Sequence, residues 1–328
     1  MLCKRVGSPF EVCVDELPEP VAGDGDVVVA IDAVGLNFFD VLMVTGRYQL
    51  KPSLPFSPGA EFVGVVETVG RGVHGLAPGD RVAVVQRFGA CREKIVVAAA
   101  RAIPLPKEVP TLVGAGLFVA YGTALHALRD RGNLRAGETL AVLGAAGGVG
   151  HAAVDLGRAL GARVIACVGS EAKAAFAADH GAHHTVNYAT TNLRDRLKEL
   201  TDGVGVDVLL DLVGGPHTEG ALRAMRRRGR YLVAGFAAGE IPRVPLNLVL
   251  LKGVDLRGVI LGGANRGEAA FPAGTVEKLI QLLAEGAIRP HVDKLYPLEE
   301  TALGLSDIRE RRAKGKIVVT TSRVGSFQ

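Results

Sequence analysis

The sequence is poor in the features that mark several specialised classes of protein. Its four cysteines (Cys3, Cys13, Cys91 and Cys167) share neither the paired spacing of a disulfide framework nor that of a metal knuckle, so reduced thiols and a cytoplasmic location are expected. The 38 Lys and Arg exceed the 34 Asp and Glu by too little, at a net charge of +4, for a dedicated nucleic-acid binder. No basic-then-apolar leader opens the chain, and Gly, Asp or Arg interrupts the longer apolar runs well short of a bilayer span, so no membrane partner is expected. Internal repeats and low-complexity tracts are also missing.

What is present fits an enzyme with large cores. Hydrophobic residues make up 48% of the chain and charged ones 22%, and 328 residues exceed the usual size of one core, which predicts two domains. Up to about Leu105, short β-rich segments alternate with Pro and Gly: residues 26–32, 61–69, 81–85 and 94–97. After Thr111 the rhythm changes to helices alternating with continuous apolar strands at 140–143, 164–168, 184–186, 206–212, 231–235 and 256–260, the pattern of a parallel sheet covered on both faces. Six strands complete a doubly wound sheet. The rest, with helices near 276–285 and 298–313 and strands at 294–296 and 316–320, is expected to return to the first domain. The predicted fold class is therefore α/β, with a mostly-β domain over residues 1–122 and 264–328 and a dinucleotide-binding domain over 123–263.

The most informative stretch is Thr139-Leu-Ala-Val-Leu-Gly-Ala-Ala-Gly-Gly-Val-Gly150, a buried strand running into a glycine turn and a helix over about 149–160. Ala146, Gly147, Gly148 and Val149 would bring bare backbone and a helix N-terminus to a pyrophosphate. The alternative is a tight strand-to-helix turn without a ligand. Context favours the first reading, because a second strand completes a βαβ unit. That strand ends in Cys167-Val-Gly169-Ser170, with a glycine and a small hydroxyl where NAD-selective proteins carry a ribose-binding acid. Lys173, one turn further, would give a 2′-phosphate a charge partner, so NADPH is the expected cofactor. Glu171 is expected to start the helix and point to solvent.

Taken together, Gly35-Leu-Asn-Phe-Phe-Asp40, Gly46-Arg-Tyr-Gln49, Leu54-Pro-Phe-Ser-Pro-Gly-Ala-Glu-Phe62, Pro78-Gly-Asp-Arg-Val82, Tyr121-Gly-Thr-Ala124, Gly144-Ala-Ala-Gly-Gly-Val-Gly150 and Gly315-Lys-Ile-Val318 resemble the zinc-free quinone oxidoreductase branch of the medium-chain dehydrogenase/reductase superfamily. The resemblance spans nearly the whole chain and implies a GroES-like first domain and a Rossmann second domain. The match is imperfect at Asp155 and Ala141, where the branch carries glutamine and leucine. Where zinc-dependent relatives hold a catalytic metal with a cysteine and a Gly-His-Glu triplet, this chain has Asn37 and Gly59-Ala60-Glu61, so no metal is expected.

By the same resemblance Asn37 and Tyr48 are candidate donors or orienters beside the hydride acceptor, with Asn37 also near the cofactor. The plainer alternatives are that Asn37 caps a helix starting near Phe38 and that Tyr48 only packs. Thr123 would lie at the nicotinamide end, as would Val213, Phe236 and Ala237, which follow strands at the carboxyl edge of the sheet. Tyr188 resembles the tyrosine flanking the adenine ribose. The implied activity is NADPH-dependent hydride transfer to a quinone or similar conjugated carbonyl. The alternatives are an enoyl or acrylate-type double-bond reductase, or a non-catalytic NADPH- or RNA-binding protein. Family members are often homodimers joined through the nucleotide-domain sheet edge, which the apolar segment 256–260 would supply.

Two features invite other readings. Arg223, Arg226, Arg227, Arg228 and Arg230 resemble a phosphate patch, but their expected place at a helix C-terminus favours a solvated face. His183 and His184 open a strand without a spaced carboxylate or cysteine partner, which disfavours a metal site.

Overall fold

A computed structural model describes residues 1–8, 10–262 and 271–323. The chain divides into two units, Met1–Val119 with Pro290–Gln328, and Ala120–Arg289. The first contains β1 (Leu2–Arg5), β2 (Glu11–Cys13), β3 (Asp26–Leu36), α1 (Phe38–Val44), β4 (Glu61–Val69), β5 (Arg81–Val85), β6 (Lys94–Ala98) and β7 (Ala102–Pro104). Helix α2 (Thr111–Leu125) contains the boundary. The second unit holds β8 (Thr139–Leu143), α3 (Gly148–Ala159), β9 (Arg163–Val168), α4 (Glu171–Asp179), β10 (His184–Asn187), α5 (Leu193–Glu199) and β11 (Val206–Asp211). It continues through α6 (His217–Ala224), β12 (Met225–Val233), α7 (Leu246–Lys252), β13 (Asp255–Gly258) and α8 (Thr275–Ala284). The chain then adds β14 (Val292–Pro297), α9 (Thr301–Arg309) and β15 (Lys316–Thr320) to the first unit.

In the first unit the main sheet runs β14-β15-β3-β4-β5-β7, with β6 also paired to β3. β3 is central because its valines and isoleucine are apolar on both faces, and they pack with Phe62, Val84, Ile317 and Val319 in one core. Register then fixes the site. β15 pairs antiparallel with β3 through Ile317 and Leu36, and β4 pairs with β3 through Glu61 and Gly35. Asn37, just after β3, therefore shares one end of three neighbouring strands with Glu61 and Lys316, which open β4 and β15.

The second unit is a parallel six-stranded sheet in the order β10-β9-β8-β11-β12-β13. The order reverses between β8 and β11, so the loops leaving their carboxyl ends flank the place where doubly wound sheets take a ligand. Continuous apolar runs such as Leu140–Leu143 are fully buried, as strands covered on both faces must be.

Several boundaries differ from the sequence-based expectation. Residues 271–289 go with the second unit rather than the first, since the Arg289 N–H donates to Asp155, Arg158 to the Ala287 carbonyl and Arg129 to Thr275. The expected boundary at 263/264 lies outside the described residues. The first expected break, 122/123, becomes Val119/Ala120. The arginine run is not at a helix C-terminus: only Arg223 is helical, and the others belong to β12, whose register with β11 jumps from Met225 to Arg230. Arg226, Arg227 and Arg228 are exposed there, with Arg226 on Asp207, while Arg230 pairs with Glu138. Helix α9 is shorter than expected at both ends: Leu298–Glu300 is a 3-10 turn, and the helix stops at Arg309, two residues before Arg311 takes a left-handed φ of 57°. β13 stops at Gly258 instead of 260.

Helix α2 continues through a π-helical turn, His126–Arg131, and these 21 residues are by length and composition sufficient to cross a membrane. The sequence reading has glycines interrupting that run. They do not, because the helix closes on its neighbours at them: a Cβ on Gly114 would lie 3.0 Å from the Leu105 and Val63 side chains. Of its most apolar window, 72% is buried in the protein.

Candidate functional site

Asn37 is the N-cap residue of α1, as the plainer reading has it, and forms a capping box with Asp40. Asp40, three residues on, accepts the Asn37 backbone N–H at 2.8 Å, and its other oxygen accepts the Gly59 N–H at 3.2 Å. Asp40 is fully buried, and that burial pushes its carboxyl up to about 7. The Asn37 amide also joins a charged network. Its Nδ2 donates to Glu61 Oε1 at 3.0 Å and to the Gly35 carbonyl at 3.2 Å, while its Oδ1 accepts from Lys316 Nζ at 2.7 Å. Lys316 also donates to Glu61 Oε1 and to the Leu36 carbonyl, both at 2.8 Å, and Glu61 Oε2 accepts the Val119 N–H at 2.9 Å.

Sequence reasoning places Asn37 here as a donor or orienter, and the geometry removes the first option. Both amide protons are engaged within the chain, so toward a ligand the amide can act only as an acceptor, through Oδ1. Of the three residues Asn37 is the most accessible, at 8% exposure against 4% for Lys316 and 1% for Glu61. Tyr48 is half-buried, with its ring stacked on Phe39 at 5.9 Å. It does pack, as the plain reading has it, yet its hydroxyl makes no hydrogen bond among the described residues. Burial, and then the charge of Asp40, raise its phenol above the ordinary value.

In the second unit the glycine turn is built for close approach. A Cβ on Gly150 would sit 2.0 Å from the Gly144 carbonyl, so that glycine is required by the turn itself. Gly147 differs. It caps α3 in extended conformation, and a Cβ there would meet nothing nearer than the Gly144 carbonyl at 3.5 Å. The chain alone does not require glycine at 147, whereas a phosphate lying on the helix N-terminus does. Ala146 precedes it, buried, and Gly148 and Val149 form the first turn of α3.

At the end of β9, Ser170 caps α4 by accepting the Lys173 N–H at 3.4 Å, which puts Lys173 in the helix's first turn. Glu171 does not simply face solvent: one of its oxygens accepts from Asn187 Nδ2 at 2.6 Å, tying it to β10. The Tyr188 ring lies over Gly169, 3.2 Å from where a Cβ would be, and against His217 at 4.3 Å between centroids. After β11, the buried Asp211 carboxylate holds the Val213 and Gly214 N–H groups at 2.8 Å and also binds the Tyr231 hydroxyl. The loop after β12 closes onto this one, with Ala237 N–H donating to the Leu212 carbonyl at 3.1 Å and Phe236 lying over Gly214. Val213, Phe236 and Ala237 thus form one cluster at the carboxyl edge. Thr123 lies in the last turn of α2. His183 accepts the Val164 N–H, and His184 contacts Arg163.

Glu61, Lys316, Asp40 and Asp211 are site residues that the sequence reading does not identify. The signal for the first two was in the sequence, as a carboxylate and a lysine opening apolar strands, but their meeting depends on register between segments 255 residues apart.

Residues 148–285 match the zinc-binding dehydrogenase family, and residues 23–126 match the alcohol dehydrogenase GroES-like domain. Mouse quinone oxidoreductase-like protein 2 is 36% identical over 320 residues, 97% of this chain and 91% of its own length. The chain belongs to the medium-chain dehydrogenase/reductase superfamily, in its quinone oxidoreductase branch. Within this superfamily its fold is close to that of the Pseudomonas syringae quinone oxidoreductase, with a TM-score of 0.88 and 32% identity, covering 97% of this chain and 98% of that one. The Escherichia coli quinone oxidoreductase, solved with NADPH, gives a TM-score of 0.86 and 28% identity, with coverages of 97% and 98%.

The zinc named in one family description does not fit the residues present. The Ala60 side chain offers no ligand atom, the Asn37 amide nitrogen donates both protons while the Lys316 ammonium sits on its Oδ1, and both oxygens of Glu61 are occupied by Lys316, Asn37 and Val119.

Proposed function

We propose that this protein is an NADPH-dependent, zinc-independent reductase of quinones or similar conjugated carbonyls. The observation that carries the cofactor half is Gly147, a glycine that the chain's own packing does not require, at the N-terminus of α3. The Escherichia coli quinone oxidoreductase was solved as an NADPH complex, which supports the same cofactor here. The choice of the phosphorylated form is supported by the end of β9, where Gly169 and Ser170 stand in place of an acid. The one neighbouring carboxylate, Glu171, is bonded to Asn187, and Lys173 lies in the first helical turn. Tyr188 would flank the ribose, and Thr123, Val213, Phe236 and Ala237 the nicotinamide.

When bound, the cofactor supplies a hydride. The chain's part is to orient and to stabilise. The Tyr48 hydroxyl, without an internal partner among the described residues, would donate to the acceptor oxygen as negative charge gathers on it, while Asn37 would orient as an acceptor through Oδ1. A conjugated acceptor suits such weak donors, since its charge is delocalised. Elemental analysis of the purified protein tests zinc independence. Oxidation of NADPH and NADH against a panel of quinones and enones tests the rest: the reading predicts turnover with NADPH, and no acceptor-dependent oxidation would overturn it.

The reading extends to a homodimer. Among the described residues β13 ends the six-stranded sheet, and in and around it Leu246, Leu250, Leu251, Leu256 and Ile260 are all exposed, which supports a second copy of this chain as the occupant. Sedimentation should show a dimer that Leu250→Asp with Leu256→Asp converts to monomer, and a monomeric wild type would refute it.

A further inference from the structure

We propose that Lys316 and Glu61 are positioning residues that lock the Asn37 amide in one of its two flip states, presenting Oδ1 rather than Nδ2 to a hydrogen-bond donor of the bound cofactor or substrate. The lock follows from what each group is able to do. An ammonium only donates and a carboxylate only accepts. Lys316 Nζ lies 2.7 Å from Asn37 Oδ1, and Glu61 Oε1 lies 3.0 Å from Asn37 Nδ2. Flipping the amide would bring N–H against ammonium and carbonyl oxygen against carboxylate, losing both bonds and creating two repulsive contacts.

The surroundings make this lock rigid. The pair is sealed: side-chain exposure is 5% for Lys316 and 1% for Glu61. Helix α2 lies so close that a Cβ on Gly116 would come 3.1 Å from Lys316 Cε, and one on Gly35 would come 2.1 Å from the Ala115 carbonyl. Water therefore has little access to relay or exchange these bonds. Every Lys316 proton is used, on Leu36, Asn37 and Glu61, so the lysine is held in place as well as holding. A buried ion pair is a poor source of stability compared with apolar packing, which makes a role in specifying one arrangement the better reason for it.

This inference rests on the reductase reading above, in which Asn37 orients a ligand, and its test separates the two. Removing Lys316 alone would leave a buried charge and endanger folding, so the informative variant is the neutral pair Lys316→Met with Glu61→Gln. Glutamine both donates and accepts, and methionine does neither, so Asn37 is free to flip while the fold keeps its volume. The expected result is a melting temperature close to wild type with kcat down tenfold or more. Adding Asn37→Ala to the pair should slow it no further than Asn37→Ala alone, because the pair acts through that amide. Lys316→Arg, which still only donates, should recover part of the turnover lost in the neutral pair. Exchange of the Asn37 side-chain amide protons, identified by their loss in Asn37→Ala, should be at least tenfold faster in the neutral pair, a readout that needs no activity. Unchanged exchange, wild-type kcat in the neutral pair, or a triple variant well below Asn37→Ala would overturn the lock. Slow exchange in a wild type that oxidises no NADPH would overturn the reductase reading and leave the lock standing.

Discussion

Replacing Asp40 by asparagine should flatten the pH dependence of stability, because Asp40 is the buried carboxyl whose protonation differs most clearly between folded and unfolded chain. Burial raises it from 3.8 to about 7, against the opposing pull of the Asn37 N–H, the Lys316 charge and the Gly59 N–H. The folded state therefore holds a proton that the unfolded state has already released, and its contribution is present in full below about pH 4. That contribution falls as pH rises and is lost above about pH 7, where both states are ionised. A shift of about three units corresponds to roughly 4 kcal/mol over the whole window, and to about 2 kcal/mol between about pH 5 and 7. A carboxamide does not ionise, so the Asp40→Asn variant should lose that slope. The new side chain still accepts one backbone N–H and forfeits the other, which costs on the order of 1–3 kcal/mol at low pH and is offset at high pH by the absence of a buried charge. Urea unfolding at closely spaced pH values measures both. If the difference in unfolding free energy between the two proteins is the same at about pH 5 as at about pH 7, Asp40 does not hold its proton and the account of its burial is wrong.

Gly147→Ala should fold with a wild-type melting temperature and bind NADPH and NADH more weakly, whereas Gly150→Ala, whose Cβ would strike the Gly144 carbonyl at 2.0 Å, should lower the melting temperature itself; calorimetry with cofactor titration separates them. Lys173→Ala should weaken NADPH binding by about tenfold or more, the worth of a charged hydrogen bond to phosphate, and leave the NADH dissociation constant nearly unchanged. Tyr48→Phe should lower kcat while the NADPH dissociation constant holds, and an equal loss of cofactor affinity would move Tyr48 to the cofactor. Exhaustive chelation should leave activity intact.

The sequence carries the fold well because its signals are local and repeated. Apolar residues fill most of 26–36 on both faces of β3, and the apolar runs at 140–143 and 208–210 are continuous because both faces of the sheet are covered. The glycine turn at 144–150 is equally local. What the sequence conceals depends on distance or on single turns. The arginines after Met225 read as a helix end, because a register jump in β12 has no signature in composition. Asn37 reads as a cap or a donor; the cap is local and is there, but nothing near it in the chain reveals that Lys316 and Glu61 engage its amide. The unbroken helix around Thr123 is also hidden, since its three glycines read as interruptions until the neighbours that close on them are known.

The central claim is direct hydride transfer from NADPH to a conjugated acceptor, and tracing deuterium from C4 of NADPH tests it most closely. With an enone as acceptor and cofactor labelled separately on each face, the account predicts that one labelled form delivers its deuterium to the β-carbon of the product in full and the other delivers none. Product whose β-carbon carries no deuterium from either form, or takes it there from labelled water, would contradict it; deuterium from water at the α-carbon is the expected proton and does not.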